Sequence, residues 1–352
     1  MSERSAPGSG KTLSGVRPAV PVDVLTGFLG SGKTTLLSRL LREPAFARTA
    51  VIVNEFGEVG IDHDLVETSD EQFIQLTTGC LCCKVRSDLV ETLLELASRR
   101  AQGRVPAFER VVIETSGLAD PAPILQALML DGALSHAYVG GSVITTVDAL
   151  LAARTLEQQP TARRQVAMAD ALVVTKTDLD PAAGAALQDR LRALNPDAPV
   201  LPTRAGASDA AAIWSSAAQA VQPWRAVRTG GGGRPDDHLG GVDRWILVRE
   251  RPLPAAVLPL LVEALSEHCG ERLLRVKGIV AIDGEPQRPV VVQGVQHVFH
   301  PLRWLDAWPS ADRRSRLVFI GEDVPGEWIE SLLDCLVAEV GAVQASIETS
   351  QA

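Results

Sequence analysis

The sequence has no excess of basic residues. Its 352 residues include 34 Lys and Arg against 43 Asp and Glu, which gives a net charge of −9. A protein that binds duplex nucleic acid usually presents a basic face, so this balance argues against that class. It still leaves room for a local basic pocket around phosphate groups. We therefore expect no nucleic-acid partner.

Long apolar stretches are also missing. No run approaches the length of a membrane span, and residues 1–20 lack the apolar centre of a signal peptide. A hydrophobic content of 46% with 22% charged residues is typical of a soluble globular chain. These features predict a cytoplasmic protein with no membrane partner.

Cysteine is scarce and unevenly placed. Three of the five cysteines, Cys80, Cys82 and Cys83, fall within four positions, and the other two are Cys269 and Cys335. A disulfide framework does not place its cysteines in this way, so the cluster indicates another use of the thiols.

The length favours two domains. From Pro18 to about Trp224, β-branched runs alternate with helical patterns, which predicts an α/β domain with a parallel sheet and helices on both faces. Later patterns predict a smaller C-terminal α+β domain. The predicted boundaries are a disordered tail at 1–17, the α/β domain at 18–224, a flexible Gly-rich linker at 225–243 and the C-terminal domain at 244–345.

The same patterns predict the individual elements. Strands are expected at 22–26, 49–53, 73–76, 110–114, 142–148, 171–175 and 200–202, then at 245–248, 273–282, 289–293 and 317–320. The clearest helical patterns are at 88–99, 205–222, 253–267 and 327–338.

One stretch, Gly27-Phe-Leu-Gly-Ser-Gly-Lys-Thr34, fits the pattern of a phosphate-binding loop. It lies between a predicted strand and a helical pattern, where backbone N–H groups and a helix N-terminus together bind anions. The pattern predicts that Lys33 reaches the β- and γ-phosphates of a nucleotide and that Thr34 holds Mg²⁺. The residues expected to bind the nucleotide here are Gly27, Gly30, Ser31, Gly32, Lys33, Thr34 and Thr35.

A second predicted strand ends in Glu114, and Gly117 follows three residues later. An acid at the carboxyl end of a strand beside the phosphate loop can hold Mg²⁺, and Gly117 would let its N–H approach the γ-phosphate. The alternative is an ordinary strand end with a solvated Glu.

The stretch Thr175-Lys-Thr-Asp178 follows another apolar strand. Asp178 can accept hydrogen bonds from guanine N1–H and N2–H₂, which adenine cannot offer, while the stem of Lys176 would lie along the base. The pattern therefore favours GTP over ATP, although a solvated turn before Pro181 is an alternative.

The cysteine cluster is expected in a loop before a helix that starts near Ser87. A nearby helix N-terminus lowers the pKa of a thiol, and thiolates are the form that binds soft metals. Three such ligands would make an incomplete site that other groups complete. A redox pair or simple burial of the thiols are the alternatives.

A further segment, from Asn54 to His63, follows the second strand. In a phosphate-loop protein this is where a switch that senses the γ-phosphate would lie, and Glu55 and His63 are candidate ligands there. An acidic loop with a solvated His63 is the alternative.

Taken together, these motifs resemble the CobW-type GTPases, a metallochaperone family. The resemblance rests on the phosphate loop, Asn54-Glu-Phe-Gly57, Cys80-Leu-Cys-Cys83, Glu114-Thr-Ser-Gly117 and Thr175-Lys-Thr-Asp178, in this order. It continues in Arg275-Val-Lys-Gly278, in 293–300 and in 316–321, and so covers about residues 20–340.

The resemblance implies GTP hydrolysis, a transition metal at the cysteines and delivery of that metal to a client metalloprotein. Zinc is the first expectation for the metal and cobalt (Co²⁺) the second. The resemblance implies catalytic roles for Lys33, Glu114 and Glu55, and nucleotide binding by Gly117, Lys176 and Asp178 in addition to the loop. The implied metal ligands are Thr34 and Glu114 for Mg²⁺, and Cys80, Cys82 and Cys83, with Glu55 nearby, for the transition metal.

The chain departs from the family in its linker, where many members carry a histidine-rich run and this chain has only His238. His297 and His300 match the second domain, and packing is the favoured role for both. The chain shows no obvious internal arginine finger, so we expect slow hydrolysis without a partner. A phosphate-loop kinase and a passive metal buffer are the rival functions, and pairing of two copies across the nucleotide is left open.

Overall fold

The computed structural model describes residues 19–54, 73–76, 82–203, 210–220 and 241–351. Its first part contains seven strands: β1 (Val20–Gly27), β2 (Thr49–Asn54), β3 (Phe73–Leu76), β4 (Arg110–Thr115), β5 (Tyr138–Asp148), β6 (Ala171–Thr175) and β7 (Val200–Pro202). They form one parallel sheet in the order β3-β2-β4-β1-β5-β6-β7. The seven predicted strands are confirmed, with β5 starting four residues earlier than expected.

Seven helices accompany this sheet: α1 (Lys33–Leu41), α2 (Cys82–Ala101), α3 (Ala122–Leu130), α4 (Ala152–Gln158), α5 (Pro160–Ala167), α6 (Pro181–Leu194) and α7 (Ala210–Ala220). The strand residues alternate between the two faces, because successive side chains of a strand point to opposite sides. Ala171 and Val173 pack with α1 and α7, whereas Leu172 and Val174 pack with α4, α5 and α6. Helices α2 and α3 cover the remainder of the second face. The sheet is therefore buried on both sides, as expected for a parallel sheet.

The second part of the chain forms an antiparallel sheet. Its strands are β8 (Asp243–Arg249), β9 (Leu273–Val280), β10 (Val290–Val295), β11 (Val298–Phe299), β12 (Arg303–Trp304) and β13 (Ser315–Gly321). Their order is β11-β10-β9-β13-β8, with β12 paired to β10. Helices α8 (Val257–His268) and α9 (Gly326–Gln351) cover one face. The predicted combination of a phosphate-loop sheet and a smaller C-terminal α+β domain is confirmed.

The other face of the second sheet packs against the first domain. Ala122, Ala167 and Met168 from α3 and the end of α5 share a buried cluster with Val318 and Ile320 of β13. The two domains therefore have a common apolar interface. No helix among the described residues has the length and apolarity needed to span a bilayer. Residues 225–240 of the predicted linker lie outside the described residues.

Candidate nucleotide-binding site

The phosphate loop connects β1 to α1 and has the backbone conformation of an anion site. Gly27 has a φ of 141°, and a Cβ at this position would lie 2.4 Å from the carbonyl oxygen of Thr146. Gly32 has a φ of 89° and immediately precedes α1. Only glycine adopts both conformations without strain, so the loop can turn tightly against β5 and direct the N-terminus of α1 at a ligand.

Lys33 is the first residue of α1, and its side chain lies back across the loop. Its Nζ donates hydrogen bonds to the carbonyl oxygens of Gly27 at 2.9 Å and Phe28 at 3.3 Å. The ammonium group therefore lies at the concave side of the loop. A phosphate bound by the loop would be next to this positive charge.

Thr34 and Glu114 come together in front of the loop. The Thr34 hydroxyl donates a hydrogen bond of 2.6 Å to Glu114 Oε1, although the two residues are 80 positions apart. Glu114 is buried near the end of β4. A hydroxyl and a carboxylate are the hard oxygen ligands that Mg²⁺ prefers, so this donor pair fits a magnesium ion. Thr35, next to Thr34, has an exposed side chain.

Gly117 packs directly against the phosphate loop. A Cβ on Gly117 would lie 2.7 Å from the backbone nitrogen of Leu29 and 2.8 Å from its Cα. A side chain at this position would push the two segments apart. The absence of a side chain therefore allows the backbone after β4 to touch the loop.

The expected base-recognition segment follows β6. Lys176 has a φ of 59°, an uncommon conformation for a residue with a side chain, and such positions cluster at functional sites. Its Nζ donates to Asp148 Oδ2 at 2.6 Å and to the Gly30 carbonyl at 3.0 Å. The segment that carries Lys176 and Asp178 is thereby connected to the phosphate loop.

Several polar residues of this site were not expected from the sequence. Asp148 ends β5 and is buried, as Glu114 is near the end of β4, so the same rule of an acid at a strand end would have found it. The hydroxyl groups of Thr146 and Ser31 form a hydrogen bond of 2.7 Å. The side-chain NH₂ of Gln165 on α5 donates hydrogen bonds to the carbonyl oxygens of Gly117 and Ala119. No sequence pattern marks these last two residues, since their contacts depend on how the sheet stacks distant segments.

The structure corrects the expected position of the cysteines. Helix α2 begins at Cys82, not near Ser87, so Cys82 and Cys83 lie in its first turn instead of a preceding loop. Nothing between Cys82 and Ser87 breaks a helix, so the preference of Ser87 for a helix start does not decide where α2 begins. Cys80, Glu55 and His63 lie outside the described residues. Within the described ranges, no three His, Cys, Asp or Glu side chains form a metal-binding group.

The two histidines of the C-terminal domain have different surroundings. His297 is exposed, so the expected packing role is wrong for this residue, which occupies the turn between β10 and β11. His300 is partly buried, and burial together with the charge of Arg303 lowers the pKa of its imidazole. His300 is therefore biased toward the neutral form.

Two protein-family models match the chain. Residues 21–202 match the CobW/HypB/UreG nucleotide-binding domain, and residues 242–336 match the cobalamin synthesis protein cobW C-terminal domain. The matched residues cover both sheets. The second match begins one residue before β8.

The chain is similar to two named proteins over most of its length. The zinc chaperone YjiA of Escherichia coli is 35% identical over 89% of this chain and 97% of its own. The zinc-regulated GTPase metalloprotein activator 1 of Saccharomyces cerevisiae is 28% identical over 89% of this chain and 82% of its own. The crystal structure of Zn(II)-bound YjiA GTPase from E. coli superimposes with a TM-score of 0.70 at 31% identity, and covers 91% of this chain and 99% of that one.

Proposed function

Because this chain belongs to the CobW/HypB/UreG family, we propose that it carries zinc at Cys80, Cys82 and Cys83 and transfers it to a client metalloprotein under the control of GTP and Mg²⁺. The protein is a GTPase metallochaperone that uses GTP and zinc. The cysteine ligand set, the gating of the metal site by the nucleotide and the transfer of zinc to a client are the proposed parts. Cobalt is the second metal to test.

The observation that carries this proposal is the hydrogen bond between Thr34 and Glu114 at the carboxyl edge of the sheet. It supports a Mg²⁺ site between the phosphate loop and β4. Helix α2, which begins with Cys82 and Cys83, follows β3, and β3 is two strands away from β4 in the sheet. Neighbouring strands lie about 4.8 Å apart, so the strand end before the cysteines is roughly 10 Å from the strand that carries Glu114. The short separation makes coupling between nucleotide and metal physically plausible.

In the proposed cycle, GTP and Mg²⁺ hold the segment after β2 and the cysteine segment in an arrangement that binds metal tightly. Hydrolysis removes the contacts of the γ-phosphate, and the metal site opens towards the client. Coupling between two sites is typically about 1–3 kcal/mol, which is roughly 5–150-fold in affinity, and it is reciprocal. GTP should therefore tighten metal binding by the factor by which metal tightens GTP binding.

The test is a competition titration of Zn²⁺ and Co²⁺ against a chelator, with Mg²⁺ and either a non-hydrolysable GTP analogue or GDP. We expect the triphosphate to tighten zinc binding by roughly 5–150-fold and Cys82→Ser to abolish this difference. Cys335→Ser is the matched control, because Cys335 is an exposed free cysteine on α9, in the other domain. It should behave as the wild type does.

Two results would contradict the proposal. Equal zinc affinity with both nucleotides would make the protein a passive metal buffer that hydrolyses GTP independently. A nucleotide effect that survives Cys82→Ser would place the gated metal on other ligands. Transfer itself is measured by adding a zinc-dependent apoenzyme and following its activation before and after GTP hydrolysis.

A further inference from the structure

The short segment 116–121 lies between the phosphate loop and the C-terminal domain. It follows Glu114, and at Gly117 it is in contact with Leu29 of the phosphate loop, where a Cβ would lie 2.7 Å from the Leu29 backbone nitrogen. Helix α3 begins at Ala122, directly after the segment, and contacts the C-terminal domain. A displacement of this segment therefore affects the phosphate loop at one end and the domain interface at the other.

Gln165 holds the backbone of this segment. Its Nε2 donates hydrogen bonds to the Gly117 carbonyl at 3.3 Å and to the Ala119 carbonyl at 2.9 Å, and its side chain is only 1% exposed. Because both carbonyl oxygens can only accept hydrogen bonds, the NH₂ group of the Gln165 amide must be the one that faces them. The backbone carbonyl of Gln165 accepts a hydrogen bond of 2.8 Å from Thr145 on β5. Gln165 thus connects the segment to the central sheet.

Arg164, the preceding residue, connects the same segment to the C-terminal domain. Its guanidinium forms a two-pronged ion pair with Glu322, at 2.8 and 3.1 Å, and a longer contact of 3.4 Å with Asp120. Glu322 directly follows β13. Arg164 therefore joins one carboxylate of segment 116–121 to one carboxylate of the other domain.

Helix α3 makes a second contact with the C-terminal domain. Gln126 donates a buried hydrogen bond of 2.7 Å to Gln296, which lies in the turn after β10 with a φ of 55°. The element that follows segment 116–121 is thus also connected to the second sheet. Segment and helix together form a continuous path of direct contacts from phosphate loop to C-terminal domain.

We propose that Gln165 and Arg164 are positioning residues for GTP hydrolysis, with Gln165 holding Gly117 against the phosphate loop and Arg164 making the position of Gly117 depend on the C-terminal domain. The inference rests on the GTPase activity of the proposed function and adds the residues that connect that activity to the second domain. A misplacement of about 1 Å near reacting groups can lower a rate roughly 10²-fold. Neither residue needs to touch the nucleotide for such an effect.

The first experiment compares Gln165 with a matched buried amide. Gln165→Met keeps the size of the side chain but removes both donated hydrogen bonds. Asn195→Ala is the control, because Asn195 Nδ2 also donates to backbone carbonyls, those of Val166 at 2.8 Å and Ala169 at 3.0 Å, but to none in segment 116–121. Both variants lose buried hydrogen bonds and should lose a similar amount of thermal stability.

Their enzymology should differ. We expect Gln165→Met to lower kcat for GTP hydrolysis roughly 10–100-fold while KM and GDP affinity change less than about 3-fold, and Asn195→Ala to retain kcat. Equal kcat in the two variants would overturn the proposal. If Gln165→Met does not fold, Gln165→Glu, which keeps the side-chain length, and the Arg164 experiment below provide the same test.

The second experiment is a double-mutant cycle between Arg164 and Glu322. We expect Glu322→Gln to change kcat by roughly 3–10-fold in the wild-type background and not at all in an Arg164→Met background. Asp197→Asn is the control, since Asp197 forms a 2.8 Å ion pair with Arg244 that also joins the two domains but lies before β7, away from the phosphate loop. It should leave kcat unchanged.

An unchanged kcat in Glu322→Gln, or an equal change in Asp197→Asn, would contradict the role of Arg164. All measurements use the full chain with GTP and Mg²⁺ and without zinc or client. Failure of the metal-transfer proposal would therefore leave these results unaffected, whereas a wild-type chain that does not hydrolyse GTP would refute the proposed function instead.

Discussion

Two of the ion clusters that join the domains differ in burial. In the first, Asp170 forms ion pairs with both Arg275 and Lys277 of β9, and the Asp170 side chain is 0% exposed. In the second, Arg164 pairs with Asp120 and Glu322, and the three side chains are 27–37% exposed. Separating charges that are buried away from water has a high free-energy cost, whereas a partly solvated charge can replace one of its partners by water. The first cluster is therefore suited to holding the two domains in one arrangement, and the second allows their relative position to change.

The pKa values of the buried cluster show how strongly its members depend on one another. Burial alone would raise the pKa of Asp170, but the charges of Arg275 and Lys277 outweigh it and hold the pKa at about 2. Burial and the charge of Arg275 lower the pKa of Lys277 to about 8, against the opposing effect of Asp170. Removal of the Asp170 charge would therefore leave Arg275 and Lys277 in an unfavourable environment.

The largest expected effect is that of Asp170→Asn. It leaves two buried cations without their carboxylate, and breaking a buried ion pair in this way typically costs about 3–5 kcal/mol of stability. Urea unfolding of the full chain measures the loss. The control combines Asp170→Leu, Arg275→Met and Lys277→Met, which removes all three charges and should recover most of the stability. A loss below about 1 kcal/mol in Asp170→Asn would contradict the importance of burial.

Gly117→Ala is expected to have the next largest effect, on activity, because Gly117 packs against the phosphate loop. The added Cβ would push segment 116–121 away from Leu29, and we expect kcat/KM for GTP to fall roughly 10²-fold. Gly132→Ala is the control, because a Cβ there would meet open space. The two variants are compared by phosphate release, and similar rates would show that the contact with Leu29 is not needed.

A moderate effect on the free energy of unfolding is expected when the pH is raised through the pKa of Lys277. Between about pH 8 and 10.5, the unfolded chain still binds a proton at Lys277 whereas the folded chain has lost it. Stability rises with pH wherever the unfolded state binds more protons, so the wild type should gain stability relative to Lys277→Met across this window. The difference in free energy of unfolding between the two proteins, measured at pH 7.5 and 10, gives the sign. A constant difference would mean that Lys277 keeps its ordinary pKa.

The smallest effect on stability is expected for Glu322→Gln. A partly exposed ion pair typically contributes about 0–1 kcal/mol, so the midpoint of urea unfolding should move little and the shift should shrink in high salt. Its effect on kcat, described above, should nevertheless be measurable. A loss of stability as large as that of Asp170→Asn would remove the distinction between the two clusters.

The strands of the first sheet could be predicted from the sequence because their apolar runs are continuous and end at turn residues, whereas the two-residue strands β11 and β12 were not predicted. β3, β6 and β7 have the bounds that the patterns predict. The ends of helices were harder to predict: α2 already starts at Cys82, and α9 continues past Gly341 to Gln351, at first through exposed residues, because no proline interrupts either stretch.

The candidate site shows the same division. The phosphate loop and Glu114 have local signatures, and the structure brings Thr34 and Glu114 into contact. Gln165 has none, because its role depends on carbonyl oxygens that lie 46 and 48 residues away along the chain. Asp170, the partner of Arg275 and Lys277, could likewise not be predicted without knowing how the domains pack. The roles expected for the cysteines and Glu55 stay predictions.

The position of β3 in the sheet has a consequence for the order of events. Among the described strands β3 lies at one end of the sheet, next to β2, whereas the strands that lead into the phosphate loop and the expected base-recognition segment, β1 and β6, have a neighbour on either side. Helix α2, with Cys82 and Cys83 in its first turn, therefore follows a strand at the margin of the sheet. In the proposed function, a client that approaches from this margin would not have to displace the nucleotide, and the metal would leave while GDP is still bound. Release of metal and exchange of nucleotide would then be separate steps, each with its own rate.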